Sequence, residues 1–308
     1  MMKIATIIVG VIIAVILLVA FQTSNSSLKE NEQEIVDYFG SYSFIDKNYG
    51  TKTKMTIKKN IRRMVTNALP NHETGEFPNS GNPNVISEQK GTYEFPLNPV
   101  FTGVARWARE PGIALNGIKF EPQTAEVVIC ESGENYRIEA IQNLIDLGLD
   151  FNHAHVQPTG AYHYHGVPTS LVTILDKGQD LIHIGFAMDG FPIYYSTEGS
   201  YKSSYRLIDV TREGTDCNYT NPHQSMMMNV NTLPDGTFGN DWEYIPGFGD
   251  LDECNGMNIN GSYAYMVTDG FPYVGRCLKG EFKEENYGPP PGVRPPRGGG
   301  PGGHIRNN

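Results

Sequence analysis

The sequence predicts a mainly β protein, with β-rich α+β as the alternative, arranged as a single extracytoplasmic domain behind an amino-terminal transmembrane helix. Three observations carry this reading. Seventeen Tyr and 34 Gly stand beside only two Trp, a composition suited to pleated strands and many turns. Short β-like runs alternate with turn clusters such as Pro78-Asn79-Ser80-Gly81-Asn82-Pro83 and Leu233-Pro234-Asp235-Gly236. One run, Ile4 to Phe21, contains no charged residue.

That run comes first in the chain. As a helix its eighteen residues span ~27 Å, close to the hydrocarbon thickness of a bilayer. It is longer than a secretory core region, and Val19-Ala20-Phe21-Gln22-Thr23 offers no good cleavage site. The run therefore reads as an uncleaved signal anchor over residues 1–21, with a cleaved signal peptide as the alternative. Lys3 and the terminal amine stay cytoplasmic, which places everything after Phe21 outside, in the periplasm or at the cell surface. Residues 22–54 read as a polar spacer, 55–284 as the folded domain, and 285–308 as a flexible Pro/Gly-rich tail. Outside the cytoplasm, Cys130, Cys217, Cys254 and Cys277 are disulfide candidates. Four cysteines allow three connectivities, and the sequence does not choose among them.

Lys52, Lys54, Lys58, Lys59, Arg62 and Arg63 form a basic run without an acid, which suits a solvated strand or helix face. The clearest helix lies over Asn135 to Gly148, where Ile138, Ile141, Leu144, Ile145 and Leu147 fit a 3.6-residue period and Gly148 is a natural stop. Two short echoes link the halves of the domain: Gly160-Ala-Tyr-His-Tyr-His with Gly261-Ser-Tyr-Ala-Tyr-Met, and Asp189-Gly-Phe-Pro with Asp269-Gly-Phe-Pro.

The chemistry concentrates in Phe151-Asn152-His153-Ala154-His155-Val156-Gln157-Pro158-Thr159-Gly160-Ala161-Tyr162-His163-Tyr164-His165. Alternate residues of a strand share a face, so each His-x-His pair projects to one side. Pro158-Thr159-Gly160 suits a three-residue hairpin loop, with Gly in the left-handed position. If Gln157 pairs with Ala161, His155 faces His163 and His153 faces His165, with Cβ atoms about 4.5–5.5 Å apart. Four imidazoles on one patch suit a divalent transition metal, copper or zinc among others. Tyr162 and Tyr164 fall on the opposite face and suit core packing. A one-residue slip in register would separate the two pairs.

Other groups supplement this set. His72, in a turn-rich stretch, is an additional ligand candidate. His183, flanked by apolar residues, reads as a core histidine, and Asp189 as a turn residue able to orient a ligating imidazole. His223 with Met226, Met227 and Met228 is a soft-ligand set, though core filling by methionine suits it better. Asp250, Asp252 and Glu253 lack the spacing of an EF-hand loop.

Several classes are excluded or disfavoured. A net charge of −10 argues against a nucleic-acid partner. No Gly-x-Ser-x-Gly elbow, phosphate-binding loop, dinucleotide fingerprint or His-Glu-x-x-His occurs, so no nucleotide cofactor is expected.

At these residues the chain resembles the YHYH protein family, whose motif stands here as Tyr162-His163-Tyr164-His165. Asn67-Ala-Leu-Pro-Asn-His-Glu-Thr-Gly, Ala114-Leu-Asn-Gly, Gly148-Leu-Asp-Phe-Asn-His-Ala-His-Val-Gln-Pro, Gly185-Phe-Ala-Met-Asp-Gly-Phe-Pro-Ile-Tyr and Gly249-Asp-Leu-Asp-Glu-Cys-Asn-Gly are similar to its blocks. Ala68 and Tyr195 depart from it where Gly is expected. The resemblance implies export and points to His155, His163 and His165 rather than His153 as the core of the site. It implies no reaction. The expectation is a membrane-anchored metal-binding protein. A metal-dependent hydrolase or oxidoreductase, and a surface module whose histidines only pack, are the alternatives.

Overall fold

Strand follows strand from Tyr42 to Gly280 in the computed structural model, which describes residues 37–221 and 224–283. The predicted anchor, the first part of the spacer (22–36), the Pro/Gly tail and His223 lie outside these residues. Among the described residues no helix is long and apolar enough to cross a membrane. A compact unit begins at Tyr38, and the Tyr42–Ile45 strand lies inside the segment read as spacer.

The fold is mainly β, as predicted. Tyr42–Ile45, Lys52–Lys58, Ile61–Thr66 and Gly91–Pro96 form an antiparallel meander. Their period-2 pattern buries Met55, Met64 and Phe95 and exposes most of the basic run. Arg62 is the exception. It turns inward, donates to the carbonyls of Pro96 and Leu97, and lies over the Phe186 ring. The meander shares one core with an eight-stranded mixed sheet. Across that sheet run Ala154–Val156, Tyr162–Tyr164, Lys119–Phe120, Gly112–Ala114, Leu181–Ala187, Pro192–Ser196, Ser262–Val267 and Gly256–Ile259. Two of its neighbouring pairs are parallel: Tyr162–Tyr164 with Lys119–Phe120, and Pro192–Ser196 with Ser262–Val267. Both copies of the first sequence echo are thus strands of one sheet.

A second core forms around Val128, Tyr136, Ile138, Tyr219 and Phe238. The Cys130–Cys217 disulfide lies in it, and Cys254–Cys277 closes the other pairing. By the chain-entropy argument the 87-residue separation of the first outweighs the 23-residue separation of the second. Two disulfides point to an oxidising, extracytoplasmic compartment.

The helix predicted over 135–148 does not form. Asn135–Arg137 is a strand paired with Val127–Ile129, and Ile138 bridges to Phe238. The apolar period is not one face: Ile138 is fully buried while Leu144 is half exposed. Gln142 replaces the helical ladder by accepting from the amides of Leu144 and Ile145 and donating to the Ile145 carbonyl. The only α-helix among the described residues is the short Thr169–Leu175 segment. Met226 and Met227 are exposed rather than core-filling, whereas Met228 packs on the second core.

Candidate metal centre

The hairpin adopts the register its sequence predicts. Ala154 pairs with Tyr164, His155 with His163 and Val156 with Tyr162. The Gln157 amide donates to Ala161, and the Gly160 amide closes the loop on Gln157. Gly160 has φ +84°, and a Cβ there would meet Ser87 Oγ at 1.9 Å, so only glycine fits. Alternation then divides the Tyr-His-Tyr-His motif between two faces.

The tyrosines anchor the hairpin. Tyr162 and Tyr164 are almost fully buried. Tyr162 donates to Asp150 Oδ2 at 2.6 Å. The Tyr164 hydroxyl receives Asn116 Nδ2 at 2.9 Å and donates to His72 Nε2 at 2.6 Å. His72 Nδ1 in turn donates to the Glu73 carbonyl. Both nitrogens of His72 are therefore engaged on the core side, away from the other histidines.

On the opposite face His155, His163 and His165 converge, each offering one nitrogen within 4.8 Å of the others. His165 Nε2 lies 2.9 Å from His163 Nε2 and 3.1 Å from His155 Nε2. The N–H groups at Nδ1 of His155 and His163 point to the carbonyls of Leu147 and Ala161, at 2.8 and 3.2 Å. Those bonds fix the tautomer, leaving a lone pair on each Nε2. His165 Nδ1 has no well-formed hydrogen bond, although the Glu121 backbone carbonyl acts on that ring. A single proton on His165 Nε2 can satisfy one neighbour well but not two. A cation among the three satisfies all: bonds of about 2.0–2.1 Å at tetrahedral angles put the nitrogens about 3.3 Å apart. Burial pushes His155 below the ordinary imidazole range. It pushes His163 and His165 further, aided by the charge each neighbouring ring would carry. The three rings therefore stay neutral with lone pairs available, and the triad could hold a metal ion.

Sequence reasoning missed Glu121. The parallel pairing of Tyr164 with Phe120, and the bond from the Glu121 amide to the Tyr164 carbonyl, place it beside His165. Its Oε2 lies 4.0 Å from His163 Nε2 and accepts from Lys119 Nζ at 2.9 Å and Gln157 Nε2 at 2.7 Å. Lys119 also pairs with Glu110 at 2.8 Å. Burial pulls the Lys119 ammonium down, but Glu121 and Glu110 more than offset it and raise it above the ordinary lysine range. The only local signal was a Lys-Phe-Glu run, which says nothing of a partner 44 positions later.

The remaining candidates lie elsewhere. His153 has the parity of His155, but its backbone is left-handed, with φ +51°, and its Nδ1 bonds to the Val167 carbonyl. It therefore leaves the triad. His183 stacks on Phe39 and bonds to the Gly185 carbonyl through Nε2. Asp189 accepts from Tyr265 and from the amides of Gly280 and Phe191. It braces the far side of the sheet and touches none of the triad. Asp252 and Glu253 both pair with Lys279.

The model of the family described as YHYH protein matches residues 92–280, a span that holds the triad, Glu121 and all four cysteines. The chain belongs to the YHYH protein family. No curated protein and no solved structure matches it. Within this YHYH protein the motif has two physical halves: tyrosines that lock the hairpin into the core, and histidines that this anchoring presents together.

Proposed function

We propose that this YHYH protein binds one transition metal ion, copper or zinc, through His155, His163 and His165. The observation that carries the reading is the convergence of three Nε2 atoms, on buried His163 and His165 and partly buried His155, two of them left as lone-pair acceptors by carbonyls that engage Nδ1–H. Neutral imidazole suits both ions, so the ligand set leaves the choice between them to measurement. The apolar run Ile4–Phe21 supports membrane anchoring, with the metal site outside the cytoplasm.

Elemental analysis of the full-length chain, purified oxidised and without a metal-affinity column, tests this. The expected result is about one equivalent of metal, lost when His155, His163 and His165 are replaced by Ala. No metal after incubation with copper and zinc refutes it and leaves the histidines as packing.

A second reading, a metal-dependent hydrolase or oxidoreductase, is favoured by one observation. Among the described residues no fourth His, Cys, Asp or Glu joins the triad. Three ligands leave a position for water or substrate. Glu121, rather than Asp189, is the nearby base such chemistry needs. Turnover of ester or phosphoester substrates by the metal-loaded protein, lost in Glu121→Gln, decides for this reading.

A further inference from the structure

The outer face of the amino-terminal meander is basic and aliphatic at once. Its four strands turn Met55, Met64 and Phe95 into the core, so the alternate positions look outward. Register sets a cation beside an aliphatic side chain in three rows. Lys52 opposes Ile45, Lys54 opposes Val65, and Lys58 opposes Ile61. Ile45 is 74% exposed, Val65 49% and Ile61 40%. Arg63 fills the row between Lys54 and Lys58, and Lys59 extends the patch at the following turn.

Most of these cations are not neutralised. Lys52 meets Glu88 at 3.4 Å in an exposed pair. Among the described residues no ion pair reaches Lys54, Lys58, Lys59 or Arg63. Glu94, opposite Arg63, is the one acid in the four strands. The chain as a whole carries −10, so the positive field belongs to this face. Neighbouring like charges repel, and an anionic partner removes that cost.

Two features choose a bilayer over a soluble polyanion. Ile45, Val65 and Ile61 stand among the cations, and aliphatic side chains gain nothing from a polyanion in water. The headgroup–acyl boundary of an anionic bilayer accepts both kinds of group. Lysine stems lie along such a boundary while their ammonium groups stay with the phosphates. The second feature is the tether. Sixteen positions separate Phe21, the end of the apolar run, from Asp37, where the described residues begin. A chain of that length reaches at most about 55 Å, and the meander strands are the first described after it. Tethering of this kind raises the effective concentration of a surface site. We infer that this face docks on the anionic phospholipid headgroups of the bilayer that the apolar run enters. The inference rests on the proposed anchoring and is independent of whether the triad holds metal.

The full-length chain is reconstituted into nanodiscs of phosphatidylcholine alone, and of phosphatidylcholine with phosphatidylglycerol. Carbonate extraction reads insertion of the apolar run. Acylation of lysine amines, mapped by mass spectrometry, reads the face, so failure of the anchoring and failure of the docking are told apart. The expected result is acylation of Lys54, Lys58 and Lys59 slowed at least about tenfold by phosphatidylglycerol, because each cation near an anionic surface contributes about fivefold. The exposed Lys177, outside the meander, keeps its rate. Salt at about 1 M, where the Debye length is about 3 Å, removes the protection. Arg63→Gln, at an exposed and unpaired position, keeps the fold and cuts the protection about fivefold. Equal acylation in the two lipids overturns the inference, whether or not carbonate extracts the chain. So does protection that salt leaves unchanged. Greater protection from polyglutamate in solution than from the anionic disc overturns it too, and assigns the face to an acidic protein.

Discussion

Acid should unfold this domain steeply, because it buries imidazoles as neutral groups. Burial holds His72, His155, His163 and His165 below the ordinary range. In the unfolded chain each takes a proton near pH 6.5, while the native state resists it to lower pH. The stability that depends on their neutrality is present above about pH 6.5 and is lost as pH falls toward the folded-state values. Each such histidine contributes a limiting slope of about 1.4 kcal/mol per pH unit, and four give about 5.5.

Asp189 acts in the opposite sense. Burial raises its carboxyl to about 6, so below that pH the native state holds a proton the unfolded chain lacks. This returns about 1.4 kcal/mol per unit until ordinary aspartate titrates. Between about pH 6 and pH 5 the net loss is then bounded at about 4 kcal/mol, the value for four rings neutral throughout, a large part of a typical 5–15 kcal/mol stability. Urea denaturation of the metal-free chain across that interval, followed by circular dichroism, measures it. His163→Gln should lower the slope by about one proton. A loss below about 1.4 kcal/mol over the same interval, one proton's worth, refutes the claim that these rings are native and neutral.

Three further outcomes are expected. Tyr164→Phe removes the hydroxyl shared by His72 and Asn116 and should cost about 1–3 kcal/mol in denaturation, while metal content stays near wild type. Glu121→Gln, which removes the charge paired with Lys119 beside His163, should weaken metal affinity about 10–100-fold by competition titration without unfolding the domain. Replacing both Cys130 and Cys217 by Ala should cost about 4–5 kcal/mol, against about 3–4 for Cys254 and Cys277, in thermal or urea unfolding.

The hairpin was legible because everything that shapes it is local. Period-2 alternation assigns the faces, and Pro158-Thr159-Gly160 sets the register, so the opposition of His155 and His163 follows from fifteen residues. Where distant partners decide, the same reasoning fails. The apolar spacing of 138–147 is helical on paper. The Val127–Ile129 strand, Phe238 and the disulfide beside them offer Asn135–Ile138 a sheet edge and a core that a helix could not use. His153 shows a subtler limit: face parity holds only while the strand lasts, and this strand begins at Ala154, one residue after the left-handed turn. Glu121 was out of reach for a related reason. The two-residue strand that precedes it carries no periodicity, and parallel pairing leaves no turn signal to announce the partner. The converging nitrogens were therefore written in local sequence. The charge that sits against them, and the one histidine diverted from them, are products of the tertiary fold.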